Sequence, residues 1–160
     1  MGQRGTLSRI WAEKGSRTRL VRQQQFECAY IFGAVCPVSG ESVGLVMPYA
    51  NTHAMLIHLE HISAKIPKGR HAVIVLDRAA WHTTKKLQKF ANISILPLPT
   101  ASPDLNPTEQ VWEGMRDEYL ANRCYENYDE IVDVCCESWS AFTEQPNKSK
   151  QLCYRQWANL

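Results

Sequence analysis

The run HAVIVL at residues 71–76 narrows the fold more than any other segment. It is short, rich in β-branched residues, and bounded by Pro67 and Gly69 before it and Asp77 after it. That pattern predicts a strand covered on both faces. The covering elements are legible in the same sequence. Between Thr52 and Ile66, the residues Met55, Leu59, Ile62 and Ile66 recur at the spacing of an amphipathic helix, which Pro67 and Gly69 end. Pro107 behind Asn106 opens a second helix to about Ala121, and Tyr128 to Phe142 forms a third, with Ile131, Cys135, Trp139 and Phe142 on one face. An α/β sheet with helices packed on it follows.

The other strands read by period two. In FECAYIFGAVC, Phe26, Cys28, Tyr30 and Phe32 share one side of a central strand spanning 26–36, and the opposite side is also largely apolar. A turn at Pro37, Ser39 and Gly40 leads to SVGLVMP at 42–48, so residues 26–48 are expected to pair as an antiparallel hairpin. Residues 83–90 read as a short helix and Asn92 to Leu98 as a further strand. Residues 1–25 are polar and basic, a loop or ribbon; 26–145 form the α/β core, and 146–160 a C-terminal tail.

A chain of 160 residues is sized for one domain. With 44% hydrophobic and 21% charged residues it is too apolar to be intrinsically disordered. It has neither an apolar run of membrane-spanning length nor a signal-peptide core, so a soluble, non-secreted, cytoplasmic protein is expected. The six cysteines form no C-x-x-C pair and have no histidine at zinc-ligand spacing, which predicts free thiols, with Cys135 and Cys136 on different sides of a helix.

The net charge of +2 conceals an uneven distribution. Residues 1–22 carry Arg4, Arg9, Lys14, Arg17, Arg19 and Arg22 against Glu13 alone, so the other 138 residues sum to −3. A second basic cluster, Lys65, Lys68, Arg70, Arg78, Lys85, Lys86 and Lys89, surrounds Asp77. Such clusters suit a polyanion and equally suit a solvated face. All five aspartates, Asp77, Asp104, Asp117, Asp129 and Asp133, fall after residue 76.

Two carboxylates stand at positions suited to chemistry. Asp77 closes the most apolar strand, the sheet edge where open α/β folds bind ligands, although an Asp there also serves to cap a loop. Glu109 sits on a first helical turn behind a Pro-rich loop, and Asn106-Pro107-Thr108-Glu109 also fits a capping box. Both readings of each residue fit the local sequence.

The longer pattern separates them. VIVLDRAAWHTTKKL followed by ISILPLPTASPDLNPTEQVW closely resembles the catalytic region of DDE-type transposases from bacterial insertion sequences related to the mariner superfamily. In that family a strand ends in the second catalytic Asp, a Trp-His pair often follows, and a loop of the form S-P-[DE]-L-N-P leads to the catalytic Glu. Those positions here are Asp77, Trp81-His82, Ser102 to Pro107, and Glu109, with 31 residues between the two acids. GTLSRIWAEKGSR at 5–17, YIFGAVCP at 30–37 and MPYANTHAM at 47–55 extend the resemblance over nearly all of residues 2–142.

The resemblance implies a ribonuclease-H-like fold and catalysis by two divalent ions, Mg2+ or Mn2+, held by an Asp, Asp, Glu set. It implies hydrolysis of a phosphodiester at the transposon end, followed by attack of the freed 3′-hydroxyl on target DNA. The family's first Asp lies on a strand just upstream of the segment matching Gly2-Gln3-Arg4-Gly5, so the expected fold lacks its first strand and the expected acid set lacks one member. Glu27 matches a different strand and does not replace it. The implied object is an N-terminally truncated catalytic domain, whether a pseudogene product, the downstream frame of a frameshifted gene, or a gene begun at an internal Met. Alone it is expected to bind metal weakly and cleave little; the alternative is a non-catalytic DNA-binding or assembly module. His82, Lys85 and Lys86, together with Arg9, Lys14, Arg17 and Arg19, are the candidate DNA contacts, His82 being also a candidate for a structural loop hydrogen bond. Trp81, Trp112, Trp139 and Trp157 are expected to pack rather than stack on bases, and Asp104 to shape its turn. A homodimer, or association with full-length transposase, is the expected assembly.

Overall fold

A computed structural model describes residues 1–4, 12–16, 23–82, 84–100, 102, 105–121 and 123–154. The strand pattern resolves into three two-stranded sheets among these residues. Strands β1 (Gly2–Arg4) and β2 (Gln24–Cys28) form an antiparallel ribbon. Strands β3 (Tyr30–Val35) and β4 (Ser42–Met47) form the expected antiparallel hairpin, in register from Tyr30 against Met47 to Val35 against Ser42. After helix α1 (Thr52–Lys65), β5 (Ala72–Leu76) pairs in parallel with β6 (Ile93–Pro97). Between β5 and β6 the chain makes two 3-10 turns, Ala80–His82 and Lys85–Lys89, where a short helix was expected. Helix α2 (Pro107–Met115) continues as a π-helical turn over Arg116–Leu120, and α3 (Tyr128–Thr143) and α4 (Pro146–Cys153) follow.

Alternation along the hairpin divides the interior in two. Phe32, Ala34, Val43, Leu45 and Met47 face α1, packing with the buried Met55, Leu59 and Ile62 and with Ile74 and Leu76 of β5. The intervening residues Ile31, Val35 and Val46 face the other way, against Val111, Met115, Ile131, Cys135 and Phe142 of α2 and α3. Cross-strand partners Gly33 and Gly44 leave room on that second face for Trp139, whose ring stands 5.8 Å from that of Trp112. Each major helix starts at an Asn whose side chain accepts a backbone N–H: Asn51 from Ala54, Asn106 from Thr108, and Asn127 from Glu130.

Three expectations are corrected. The strand read across 26–36 breaks at Ala29, so Phe26 lies on the peripheral ribbon and is 86% exposed while Phe32 is buried. Val73 of β5 is 57% exposed, because among the described residues helix α1 covers only the Ile74 and Leu76 face of that strand. The tail beginning at 146 contains α4, which packs on α2 and α3 and buries Ser149 and Cys153. The cysteines are free as expected, with Cys135 buried and Cys136 exposed. No described helix is long and apolar enough to cross a membrane.

Candidate active site in the cleft between two sheets

A cleft of about 550 Å³ runs between β3 and β5, lined by consecutive residues of both strands. Asp77, Trp81, His82 and Glu109 all border it. Asp77 reaches the cleft because β5 ends one residue before it, and the loop folds back through two bonds to the same carboxylate oxygen. His82 Nδ1 lies 2.6 Å from Asp77 Oδ1, and the Ala79 N–H donates to that oxygen at 3.0 Å. Against an ionised carboxylate, His82 Nδ1 is the donor. The loop hydrogen bond considered for His82 is therefore made to Asp77 itself, and Oδ2 of Asp77 is left for other partners. Asp77 remains 57% exposed at its side chain and His82 only 16%.

Glu109 lines the same cleft from the first turn of α2. Asn106 caps that helix as the sequence suggests, but the reciprocal half of the capping box is not formed, since no bond joins the Glu109 carboxylate to the Asn106 amide. The exposed Glu109 side chain is accordingly available to the cleft. Two acids far apart in sequence thus border one space, together with Asn106, Pro107, Thr108 and Trp112 of the same helix start.

His58 was not anticipated. It sits on α1 between Met55 and Ile62, lines the same cleft, and is 3% exposed, with no hydrogen-bond partner for Nδ1. Burial above all, then the nearby His61 and His82, pulls its imidazole down to about 4. Its place three residues after Met55 and four before Ile62, on the apolar stripe of α1, was the signal available in the sequence.

Lys14 and Lys86 are exposed, Lys85 belongs to the second 3-10 turn, and Arg9, Arg17 and Arg19 lie outside the described residues, as do Asp104 and Trp157. Trp139 is buried and Trp112 packs against it, as expected of packing residues. Among the described residues, no group of three or more His, Cys, Asp or Glu is assembled as a metal site.

The sequence model of the DDE superfamily endonuclease family matches residues 1–132. The chain belongs to that family. A relative from Sinorhizobium fredii (strain NBRC 101917 / NGR234), the uncharacterized protein y4pE/y4sA, is 49% identical over 131 residues, covering 82% of this chain and 97% of the relative. In fold, the chain is similar to the crystal structure of the Mos1 strand transfer complex, with a TM-score of 0.60 at 17% identity. That alignment covers 93% of this chain and spans about half, 49%, of the Mos1 chain. The DDE fold expected from the motifs, a mixed α/β ribonuclease-H-like core, is thereby established.

Proposed function

We propose that this chain is the catalytic-core portion of an insertion-sequence transposase and that Asp77 and Glu109 are two of its catalytic carboxylates. The observation that carries the proposal is their convergence on one cleft from the end of β5 and the first turn of α2. Their hard carboxylate oxygens fit a divalent ion of the Mg2+ or Mn2+ type. Asp77 and Glu109 would hold it, and when bound such an ion polarises a phosphate oxygen and lowers the pKa of an attacking water or hydroxyl.

The chain's own residues supply positioning. His82 fixes the rotamer of Asp77 through Oδ1, so that Oδ2 points to a defined place. The helix start at Asn106–Glu109 fixes the second acid. Two acids are one fewer than the family's set, so binding is weak and strand cleavage by this chain alone is little or none. The substrate is DNA at transposon ends and target sites, handled in the cytoplasm. Arg9, Lys14, Arg17, Arg19, Lys85 and Lys86 contribute phosphate contacts, and pairing with a second copy or a full-length transposase brings two DNA ends together.

Translation of the DNA before Met1 in three frames is expected to reveal an Asp-bearing strand and a helix-turn-helix. In a chain extended by that strand, metal-dependent nicking of transposon-end DNA disappears in Asp77→Ala and in Glu109→Ala. Nicking that persists in both variants refutes the site. The two-acid count among the described residues favours a second reading, a non-catalytic DNA-binding or assembly module, for which salt-sensitive DNA binding without cleavage is the signature.

A further inference from the structure

We infer that Arg78 is a phosphate-binding residue: its guanidinium, locked to the carbonyl of Leu98 beside Asp77, takes a non-reacting phosphate of DNA lying across the ends of β5 and β6. The lock is a rung of the sheet. Even residues of β5 bond toward β6, since the Ala72 N–H donates to the Asn92 carbonyl and the Leu76 carbonyl accepts from the Leu98 N–H. The next donor in a parallel ladder is the backbone N–H of Arg78, and its acceptor is the Leu98 carbonyl. Here the Arg78 side chain makes that bond, with Nε donating to Leu98 at 2.8 Å. The backbone has already turned, because Asp77 Oδ1 accepts the Ala79 N–H and closes a turn of its own. One side chain thus lets Asp77 leave the sheet while the ladder stays closed behind it.

Fixing Nε leaves the far edge of the fork. An arginine carries five N–H donors in one plane; Leu98 takes the one on Nε, and the others stay on Nη1 and Nη2. Arg78 is exposed, and among the described residues no carboxylate pairs with it. A guanidinium held at Nε has surrendered part of its side-chain freedom before any ligand arrives. Its Nη1–Nη2 edge matches two oxygens of one phosphate.

The place of Arg78 selects the ligand. Asp77 and Leu98 directly follow Leu76 and Pro97, the last residues of the two parallel strands, and this carboxyl end is where open α/β sheets take ligands. Leu98 also begins the connection to Asn106 and the helix start that carries Glu109. Neither Arg78 nor Leu98 lines the cleft that Asp77 and Glu109 border, so the phosphate gripped is a neighbour of the reacting one. The exposed Lys86 and Lys89 on the following 3-10 turn add charge of the same sign. The anion-binding fork stands on its own geometry; DNA as the carrier of the phosphate rests on the reading of Asp77 and Glu109 given above.

The test separates the two parts of the side chain. In Arg78→Gln the amide nitrogen Nε2 stands where Nε stood and keeps the bond to Leu98, while Nη1, Nη2 and the charge are gone. In Arg78→Lys a methylene stands there, so that bond is lost and the charge is kept. Anisotropy of a fluorescein-labelled DNA duplex of mixed sequence, across a salt series in metal-free buffer, measures binding by the 160-residue chain. Arg78→Gln is expected to weaken binding about tenfold at low salt and to lower the slope of log affinity against log salt by about 0.9, the loss of one phosphate contact. Its urea midpoint should match that of the native chain. Arg78→Lys should keep the native slope and unfold at lower urea, since the Leu98 carbonyl has lost its donor. Lys68→Gln, the same loss of charge before the start of β5, should leave the slope as it is. No saturable DNA binding by the native chain, a native slope in Arg78→Gln, or an equal loss of slope in Lys68→Gln overturns the inference. Mn2+ binding measures the acids separately. A native slope in Arg78→Gln, with Mn2+ binding lost in Asp77→Asn and Glu109→Gln, sinks the role of Arg78 alone; a lowered slope with Mn2+ binding retained in both acid variants sinks the catalytic reading and leaves the phosphate site standing.

Discussion

Replacing His58 by leucine should remove an acid-sensitive fault in the fold. The imidazole is almost fully buried and stays neutral down to about pH 4, whereas in the unfolded chain it protonates near its ordinary 6.5. Between those values the unfolded state binds a proton that the folded state refuses. Stability therefore rises with pH across this window and falls as acid is added. A gap of roughly 2.5 pH units corresponds to about 3 kcal/mol, lost in full once the pH has dropped to 4. Urea unfolding followed by tryptophan fluorescence from pH 7.5 to 4.5 measures the difference. The native chain should lose stability faster than His58→Leu, the two curves diverging below pH 6.5 and approaching a gap of about 3 kcal/mol. At pH 7.5 the variant should be at least as stable, since an unsatisfied Nδ1 has been exchanged for an apolar side chain of similar reach. Parallel curves would refute the assignment of a buried neutral imidazole.

Gly44→Ala should destabilise by about 1–3 kcal/mol, because its Cβ would lie 2.3 Å from Nε1 of Trp139 and displace the indole from the hairpin; urea midpoints and near-ultraviolet circular dichroism check this. Asn127→Ala should cost about 1 kcal/mol through loss of the bond capping α3, read from thermal unfolding. Asp77→Asn and Glu109→Gln should each abolish the weak Mn2+ binding of the chain, measured by the loss of free-ion electron spin resonance signal on adding protein. Retention of that binding in both would locate the ion elsewhere.

Long periodic segments of the fold could be read directly. The stripe Met55, Leu59, Ile62 and the stripe Ile131, Cys135, Trp139, Phe142 are both buried as their spacing requires, and Ala72–Leu76 is a strand. The failures have physical causes. Phe26 continues the alternation of β3, yet Ala29 hands the chain from one sheet to another, and periodicity does not record which partner a strand finds. The segment Pro146–Cys153 is polar enough to resemble a tail, but burial of Cys153 and Ser149, with Leu152 packing at the edge, suffices to dock it. At the site, Asp77, His82 and Glu109 were visible through their motif. The Asp77–His82 bond and the unformed capping box were not, because each depends on a rotamer that spacing leaves open.

The β1–β2 ribbon is fastened from far away in the chain. Gln3 and Gln23 both donate to the carbonyl of Tyr125, and Gln23 accepts the Tyr125 N–H at 2.8 Å, across more than 100 residues of sequence. During synthesis the ribbon therefore lacks these bonds until Tyr125 has left the ribosome, by which time β3, β4 and α1 have long been available to fold. The ribbon is thus made early and fastened late, and throughout that interval its strands stand exposed beside a growing chain. Slowing translation between residues 70 and 125 should lengthen that exposure and favour mispaired strands over the finished molecule.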